Sequence, residues 1–309
     1  MTARIVTLTL NPAVDIACTA AAVRPTHKIR TTDERYDPGG GGINVARVVH
    51  ALGGSTCALI MTGDFSGELI EEMLADAGVP WQRLPTSGRT RISLNVHDRE
   101  TGLEYRFVPE GPVVSEAEWR AVLEVLGAIE AEWVVASGSL PPGVPEDFYA
   151  QAASIAASRG QKFALDTSGA SLRHGVGAGV TLLKLSETEF ASLVGHQPSD
   201  PQAQEQAIAA LIRSGAAQMV AVSLGADGAV LATADGVWRR RALPVQVRSS
   251  VGAGDSFLAG LVFGLASGMA PGDALDLGMA AGAAAVAGYG TALVRREDVE
   301  AFRALPPVA

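Results

Sequence analysis

The chain has 309 residues, of which 48% are hydrophobic and 18% charged, so it has enough apolar material for a large core and wholesale disorder is excluded. Its net charge of −9 argues against a nucleic-acid partner, because the one short basic run, Arg239–Arg241, is typical of a solvated strand end. Two cysteines without CxxC spacing predict neither a disulfide framework nor a zinc site. An acidic chain can still bind small anions in a local basic pocket.

The sequence has no recognisable targeting or membrane signal. Its first apolar run stops at Asn11 and Pro12, which is too early for a signal peptide. The longest apolar stretch, residues 257–270, is interrupted by glycines and is too short to span a membrane. We therefore expect a cytoplasmic protein with no membrane partner.

Short β-type runs alternate with helical patterns along most of the chain, which predicts βαβ units and a mostly parallel sheet. The predicted strands are Ile5–Leu10, Cys57–Thr62, Trp133–Ser137, Phe163–Asp166, Thr181–Leu185 and Met219–Ser223, followed by a hairpin at Val230–Val237. The predicted helices are Glu68–Ala77, Glu116–Glu130, Glu146–Arg159, Gln202–Arg213, Asp255–Ser267 and Gly272–Ala287. The last two are rich in alanine and glycine, so we expect them to pack closely against a neighbour.

Two segments break this alternation and predict a small β subdomain. Residues Arg91–His97 alternate between apolar and polar side chains, and a turn leads into Glu104–Val108, as in a hairpin with one polar face. The segment Asp15–Tyr36 has no helical period and is expected to be extended. The predicted lid therefore comprises residues 14–37 and 89–109, inserted into a larger domain of residues 1–13, 38–88 and 110–309.

The first motif with chemical content is Ser249–Ser256, which follows a β-type run and opens an apolar helix. Helix N-termini bind anions through their free amides, and Gly252 and Gly254 would let those amides approach a phosphate. Asp255, in the first turn, is placed to take a proton from a hydroxyl that attacks the phosphate. An ordinary aspartate helix cap is the alternative interpretation.

The four glycines Gly39–Gly42 precede Asn44 and an apolar helical pattern. Such a run costs much backbone entropy, which favours a second anion or hydroxyl site over a merely flexible turn. The segment Ser137–Gly143 follows a predicted strand, where open α/β sheets bind ligands, although alone it is better explained as a βα connection. The P-loop and protein-kinase signatures are absent, and the five histidines show no metal spacing.

Together with Asn11–Asp15, these motifs stand in the order and spacing of the PfkB (ribokinase-like) carbohydrate kinases, and the resemblance covers essentially the whole chain. It implies a three-layer α/β/α sandwich around a mostly parallel sheet, with a small β-sheet lid through which a homodimer forms. The chain most resembles the family's 6-phosphofructokinases. That resemblance implies ATP and Mg²⁺ as cofactors and transfer of the ATP γ-phosphate to the C1 hydroxyl of fructose 6-phosphate.

The resemblance also assigns roles to the matching residues. Asp255 matches the catalytic base, and Gly252, Ala253 and Gly254 match an anion hole whose amides stabilise the transferring phosphoryl group. The residues that match sugar-binding positions are Asp15, Lys28, Gly39, Gly40, Asn44, Arg91 and Ser139. The residues that match nucleotide positions are Lys184, Ser186, Ser223, Gly225 and Gly228.

Glu189 matches the acidic end of the family's NxxE motif, which organises Mg²⁺ and phosphate, here through water. The chain departs from that motif at Ser186, which stands where the family has asparagine. Serine keeps a hydrogen-bonding oxygen but has a shorter reach, so we expect weaker or water-mediated organisation of Mg²⁺.

A phosphorylated acceptor is favoured by four basic residues on the lid segments, Lys28, Arg30, Arg91 and Arg106, because arginine can bind two phosphate oxygens at once. Solvated strand charges are the alternative. In 1-phosphofructokinases a lysine commonly interrupts the glycine run, and this chain has none there, which favours fructose 6-phosphate. Kinases of fructose 1-phosphate, tagatose 6-phosphate or an unphosphorylated sugar, and a non-catalytic sugar-phosphate sensor, remain alternatives.

Overall fold

The computed structural model describes residues 5–177, 179–288 and 294–305. Its strands are β1 (Ile5–Thr9), β2 (Ala13–Ala20), β3 (Thr31–Gly39), β4 (Thr56–Thr62), β5 (Trp81–Pro85), β6 (Arg91–Asp98), β7 (Glu104–Phe107), β8 (Trp133–Ser137), β9 (Lys162–Asp166), β10 (Leu182–Ser186), β11 (Met219–Ser223), β12 (Ala229–Thr233) and β13 (Gly236–Arg240). Its α-helices are α1 (Gly41–Ala51), α2 (Asp64–Asp76), α3 (Glu116–Ala128), α4 (Phe148–Ser158), α5 (Gly169–Gly175), α6 (Glu187–Val194), α7 (Pro201–Arg213), α8 (Ala253–Ala266), α9 (Pro271–Ala287) and α10 (Arg296–Arg303).

Nine of these strands form a large sheet in the spatial order β13-β12-β11-β10-β9-β8-β1-β4-β5, in which only β12 and β13 pair antiparallel to their neighbours. Alternate residues of the central strand β8 enter different cores. Val134 and Ala136 pack with α3, α4 and α6, whereas Trp133 and Val135 pack with α1, α8 and α9. Two apolar cores on opposite faces of one sheet make the predicted three-layer sandwich, and they explain why the central strands lack a polar face.

The helices α8 and α9 are packed closely together, as their small residues predict. A Cβ at Gly260 would lie 2.7 Å from the carbonyl oxygen of Leu277, and one at Gly278 would lie 2.9 Å from that of Phe257. Within the described residues, no helix is long and apolar enough to cross a membrane.

The other four strands form a small sheet in the order β3-β2-β6-β7, where β2 and β6 run parallel and the outer pairs run antiparallel. Strands β2 and β3 extend one or two residues beyond the predicted lid segments, at Ala13 and at Pro38 and Gly39. Lys28 and Arg30 lie in the exposed connection between these two strands. The expectation that both side chains lie on extended lid strands was therefore wrong, since turn geometry interrupts the segment there.

The six strands predicted for the large sheet and the hairpin after them are confirmed. The edge strand β5 was not predicted, because an edge strand with exposed polar residues has no continuous apolar run. The short helices α5, α6 and α10 were also missed. Helix α2 begins at Asp64, four residues before the predicted start, and α8 begins at Ala253, which puts Ala253 and Gly254 inside its first turn.

Candidate active site

Two helix N-termini converge at the carboxyl end of β8. Gly40 is the N-cap of α1 and has a φ of 123°, a conformation that glycine adopts readily. A Cβ at Gly41 would overlap the hydroxyl of Ser137, so this glycine lets α1 approach the end of β8. Asn44, in the first turn of α1, thereby reaches Asp255 at the start of α8.

Asp255 is held by two side chains from distant parts of the chain. Asn44 Nδ2 donates to its Oδ2 at 2.9 Å, and Ser137 Oγ lies 3.3 Å from its Oδ1. Burial and the nearby Asp166 carboxylate raise the pKa of Asp255, although the bond from Asn44 and the charge of Lys184 oppose them. The result is a half-buried carboxyl whose ionised form has fixed donors and whose basicity exceeds that of an ordinary aspartate.

The turn before α8 leaves free amides beside this carboxyl. Gly252 has a left-handed φ of 75°, and the N–H of Ser256 is the first to bond back to it, at 2.9 Å. Among the described backbone bonds, none is donated by the N–H of Gly254 or Asp255. Lys184 Nζ lies so close that a Cβ at Gly254 would be 2.8 Å from it. Free amides, a helix dipole and an ammonium together make an anion site.

Lys184 is itself fixed by Asp166. Its Nζ lies 3.1 and 3.3 Å from the two carboxylate oxygens, and both side chains are buried. Burial disfavours the charged lysine, but Asp166, Asp255 and Glu189 outweigh it and raise the pKa of Lys184. Sequence reasoning missed Asp166, and it gave Ser137 no role of its own beyond the segment Ser137–Gly143. Their signal was available, since each is a polar residue that ends an apolar strand at the carboxyl edge of a parallel sheet.

A cavity of about 580 Å³ opens next to the anion site, a volume typical of small-molecule pockets. Its lining includes Ser223, Gly225 and Gly228 at and after the end of β11, and Ala253 and Gly254 at the start of α8. The remaining wall is mostly apolar and includes Leu243, Pro244, Val245, Val247, Phe257, Met279 and Val286. A nucleotide would match this distribution, with its flat nucleobase against the apolar wall and its phosphates at the N-terminus of α8.

Ser186 and Glu189 form a capping box at the start of α6. Glu189 N–H donates to Ser186 Oγ at 3.3 Å, and Ser186 N–H donates to Glu189 Oε2 at 2.7 Å. Ser186, which stands where the family has asparagine, therefore hydrogen-bonds within its own helix, α6. Glu189 Oε1 takes part in none of the described hydrogen bonds.

The small sheet turns a polar face toward the large domain. Asp15 pairs with Ser93 across β2 and β6, and a Cβ at Gly39 would overlap the Asp15 carboxylate. Burial raises the pKa of Asp15 to about 6, against the opposing charges of Arg106 and Arg91. Asp15, Ser93, Asn95 and Arg106 line a small cleft that reaches Val251, next to the anion loop.

Arg91 and Ser139 share a second cavity of about 510 Å³ with Asn11. Arg91 donates to the carbonyl oxygens of Asn11 at 2.8 Å and Pro109 at 2.9 Å, so it also links β6 to the turns around it. Its Nε and the Oδ1 of Asn11 are buried without a hydrogen-bond partner. Lys28 lies in the exposed segment 21–30, where no described contact joins it to this cavity.

The pfkB family carbohydrate kinase model matches residues 8–297, nearly the full chain. The chain belongs to this family. Its relatives include the ATP-dependent 6-phosphofructokinase isozyme 2 of Mycobacterium tuberculosis, 46% identical over 97% of this chain and 88% of the relative. The Escherichia coli isozyme 2 is 36% identical over 96% and 97% of the two chains. The 1-phosphofructokinase of Rhodobacter capsulatus is 32% identical over the whole of both.

Solved structures of family members have the same fold. Phosphofructokinase-2 from Escherichia coli in complex with fructose-6-phosphate matches 98% of this chain and 99% of its own, with a TM-score of 0.91 and 35% identity. The tetrameric inhibited form of that enzyme matches the same shares with a TM-score of 0.92. The predicted family, the ribokinase-like fold and the assignment as a carbohydrate kinase are therefore confirmed.

Proposed function

We propose that this kinase transfers the γ-phosphate of ATP to the C1 hydroxyl of fructose 6-phosphate and releases fructose 1,6-bisphosphate and ADP. The observation that carries the proposal is the position of Asp255, which stands beside a helix-terminus anion site whose residues Ala253 and Gly254 line a nucleotide-sized cavity. The similarity to 6-phosphofructokinases at 46% and 36% identity supports fructose 6-phosphate over other acceptors.

In the proposed mechanism Asp255 accepts the proton of the C1 hydroxyl while that oxygen attacks the γ-phosphorus. A base with a raised pKa suits this transfer, because general-base catalysis is most effective when the pKa lies nearer to the working pH. The amides of the turn Gly252–Gly254 and the ammonium of Lys184 stabilise negative charge on the transferring group. Ser223, Gly225 and Gly228 bind the nucleotide, with Ser186 at the neighbouring strand end.

Mg²⁺ fits the donors that are present. Within the described residues, no group of three or more His, Cys, Asp or Glu side chains forms a cage, but Mg²⁺ commonly takes only one or two carboxylates plus waters and substrate phosphates. Glu189 supplies one carboxylate oxygen outside its capping bond, and we propose that it holds the ion through water. Bound with ATP, the ion would neutralise charge on the phosphates.

The acceptor sugar is proposed to lie between the small sheet and the glycine run. Asp15, Gly39, Gly40 and Asn44 would bind its hydroxyl groups. Its phosphate would enter the cavity of Arg91 and Ser139, where the guanidinium is half-buried and its Nε–H has no hydrogen-bond partner. Lys28 remains a proposed phosphate ligand that would need its exposed segment to be brought over the site.

The small sheet is proposed to act as a lid and to form a homodimer through its outer face. Tyr36, Ile16, Leu94 and Phe107 stand in register across its four strands on one face. Tyr36 and Phe107 are 49% and 57% exposed, so this row offers apolar area to a second copy. The tetrameric form of the Escherichia coli relative shows that larger assemblies exist in the family.

The test is ADP release with MgATP and an acceptor panel of fructose 6-phosphate, fructose 1-phosphate, tagatose 6-phosphate, fructose, ribose and adenosine. We expect a strong preference for fructose 6-phosphate in kcat/KM. A preference for another sugar phosphate would keep the mechanism and overturn the acceptor. Turnover of unphosphorylated acceptors alone would overturn the role of Arg91, and ATP binding without any turnover would favour a sensor.

A further inference from the structure

The hydroxyl of Ser137 lies between two carboxylates. Its Oγ is 3.3 Å from Asp166 Oδ2 and 3.3 Å from Asp255 Oδ1. The side chain is 1% exposed, so bulk water cannot complete its hydrogen bonding. Because a serine hydroxyl carries a single hydrogen, it can donate to only one of these carboxylates at a time.

The other donors to the two carboxylates are held in place. Asn44 donates to Asp255 Oδ2 at 2.9 Å, and Lys184 lies within 3.3 Å of both oxygens of Asp166. The Ser137 oxygen is also confined, because Gly41 packs directly against it; a Cβ at Gly41 would overlap it. Its hydrogen is free to turn about the Cβ–Oγ bond, which makes Ser137 the one group of this set that can change its acceptor without moving a heavy atom.

We propose that Ser137 is a positioning residue that works as a hydroxyl switch. It donates to ionised Asp255 before phosphoryl transfer and to Asp166 afterwards. This inference rests on the proposed function, in which Asp255 is the base. In that step the sugar O–H bond breaks and an O–H bond forms on Asp255, while the sugar oxygen bonds to phosphorus and the bond from phosphorus to the ADP oxygen breaks.

Once Asp255 carries the proton on Oδ1, it becomes a donor, and Ser137 Oγ is its nearest described acceptor. Ser137 accepts that hydrogen and turns its own toward Asp166 Oδ2, so that every hydrogen keeps an acceptor. If Asp166 were not there, two donors would face each other in a buried site, and an unpaired buried donor is costly. The second carboxylate therefore lowers the barrier to protonation of Asp255.

The experiment is single-turnover phosphoryl transfer from MgATP to fructose 6-phosphate by wild-type enzyme and Ser137→Ala, from about pH 5 to about pH 9. Single turnover isolates the chemical step from product release. The charged neighbours of Asp255, namely Asp166 on β9 and Lys184 on β10, stay in the variant. Thr56→Val is the matched control, since it removes a buried hydroxyl at the opposite end of the sheet.

We expect two changes in Ser137→Ala. The acid limb of the pH–rate profile moves to higher pH. The hydrogen bond from Ser137 lowers the pKa of Asp255, so losing that bond raises this pKa. The plateau at high pH falls about tenfold to a hundredfold, which is less than the usual loss of a general base because Asp255 itself is kept. KM for both substrates and the midpoint of thermal unfolding stay near wild type. Ser137→Thr, which keeps the hydroxyl, restores the plateau.

A shifted acid limb with a wild-type plateau would overturn the switch, because Ser137 would then only stabilise the ionised carboxylate. An unshifted limb, or equal losses in Ser137→Ala and Thr56→Val, would overturn it as well. If the wild-type enzyme itself fails to phosphorylate fructose 6-phosphate, the proposed function fails instead. That result is distinguishable because it appears before any substitution is made.

Discussion

At the scale of single residues, burial decides the chemistry of the site. Asp255 and Asp15 are ordinary carboxyl groups whose pKa is raised because each loses contact with water, and neighbouring cations only partly compensate. In Asp255 this raises the basicity of the group that is proposed to accept the proton. In Asp15 it stores unfavourable energy in the folded chain. The two residues therefore give different predictions, one for activity and one for stability.

Asp255→Asn removes the base but keeps the shape of the side chain. We expect kcat for fructose 6-phosphate to fall by about 10²-fold to 10⁴-fold, the usual contribution of a general base. ATP affinity, measured by calorimetry, should stay near wild type because the amides of the turn are unchanged. A variant with near-normal turnover would exclude Asp255 as the base.

Asp15→Asn should stabilise the protein at pH 8 while raising KM for the sugar phosphate. The pKa of Asp15 is raised from 3.8 to about 6, so the folded state binds its proton more tightly than the unfolded chain does. The resulting cost of ionisation is fully present above about pH 6 and disappears below about pH 4. We expect the variant to gain about 1–3 kcal/mol at pH 8.

Urea unfolding of Asp15→Asn and wild type at pH 8 and at pH 4 measures this gain. The difference between the two proteins should shrink at the lower pH. A gain of equal size at both values would assign the effect to packing, and a loss at pH 8 would contradict the raised pKa.

At the scale of secondary-structure elements, the N-terminal turns of helices position most of the residues that are proposed to act in catalysis. Helices α1 and α8 direct their first turns at the same point, and α6 begins with a capping box of Ser186 and Glu189. This box explains how serine is accommodated where the family has asparagine. Serine and asparagine are both good N-cap residues. Substitutions at position 186 can therefore separate its effect on the stability of α6 from its proposed role toward Mg²⁺.

Ser186→Asn should keep the cap and lower the Mg²⁺ concentration needed for half-maximal activity, because asparagine reaches farther. Ser186→Ala is its partner variant and should lose about 1 kcal/mol of stability. Activity is measured as a function of Mg²⁺ at fixed ATP, with thermal unfolding in parallel. Identical Mg²⁺ dependence in Ser186→Asn and wild type would refute the proposed effect of this departure.

At the scale of the whole molecule, the small sheet presents two different faces. Its polar face, with Asp15, Ser93 and Arg106, is turned toward the anion loop, whereas Tyr36 and Phe107 are exposed on the other. A sheet of four strands that exposes two large apolar side chains, one on β3 and one on β7, is a candidate for self-association. Catalysis and assembly would then use opposite sides of one element.

Replacing Tyr36 and Phe107 together by serine should shift the protein from dimer toward monomer in sedimentation experiments. Val113→Ser is the control, because Val113 is 73% exposed and lies outside the small sheet. The loss of apolar area should weaken association without lowering the unfolding temperature of the monomer. A wild-type protein that is monomeric and fully active would eliminate the proposed dimer.

Much of this protein was determined locally and could be predicted from the sequence. Apolar runs between helical patterns gave a mostly parallel sheet, because strands covered on both faces need no polar side. The strict alternation in Arg91–His97 identified a half-covered strand, and glycines before Asn44 and Asp255 marked the two loops that lead into α1 and α8. Edge strand β5 and the short helices escaped because their signals are weak or polar.

Only the tertiary structure decided which residues meet. Asn44 and Asp255 are 211 residues apart in the chain, and Ser137 and Asp255 are 118 apart. No local pattern encodes these pairs, since they depend on the strand order that brings β8 and β9 beside α1 and α8. For the same reason Asp166 looked like the end of a strand in the sequence. The sequence could mark it as a polar strand end, but its partners Lys184 and Ser137 lie on neighbouring strands and were identified only in the folded sheet.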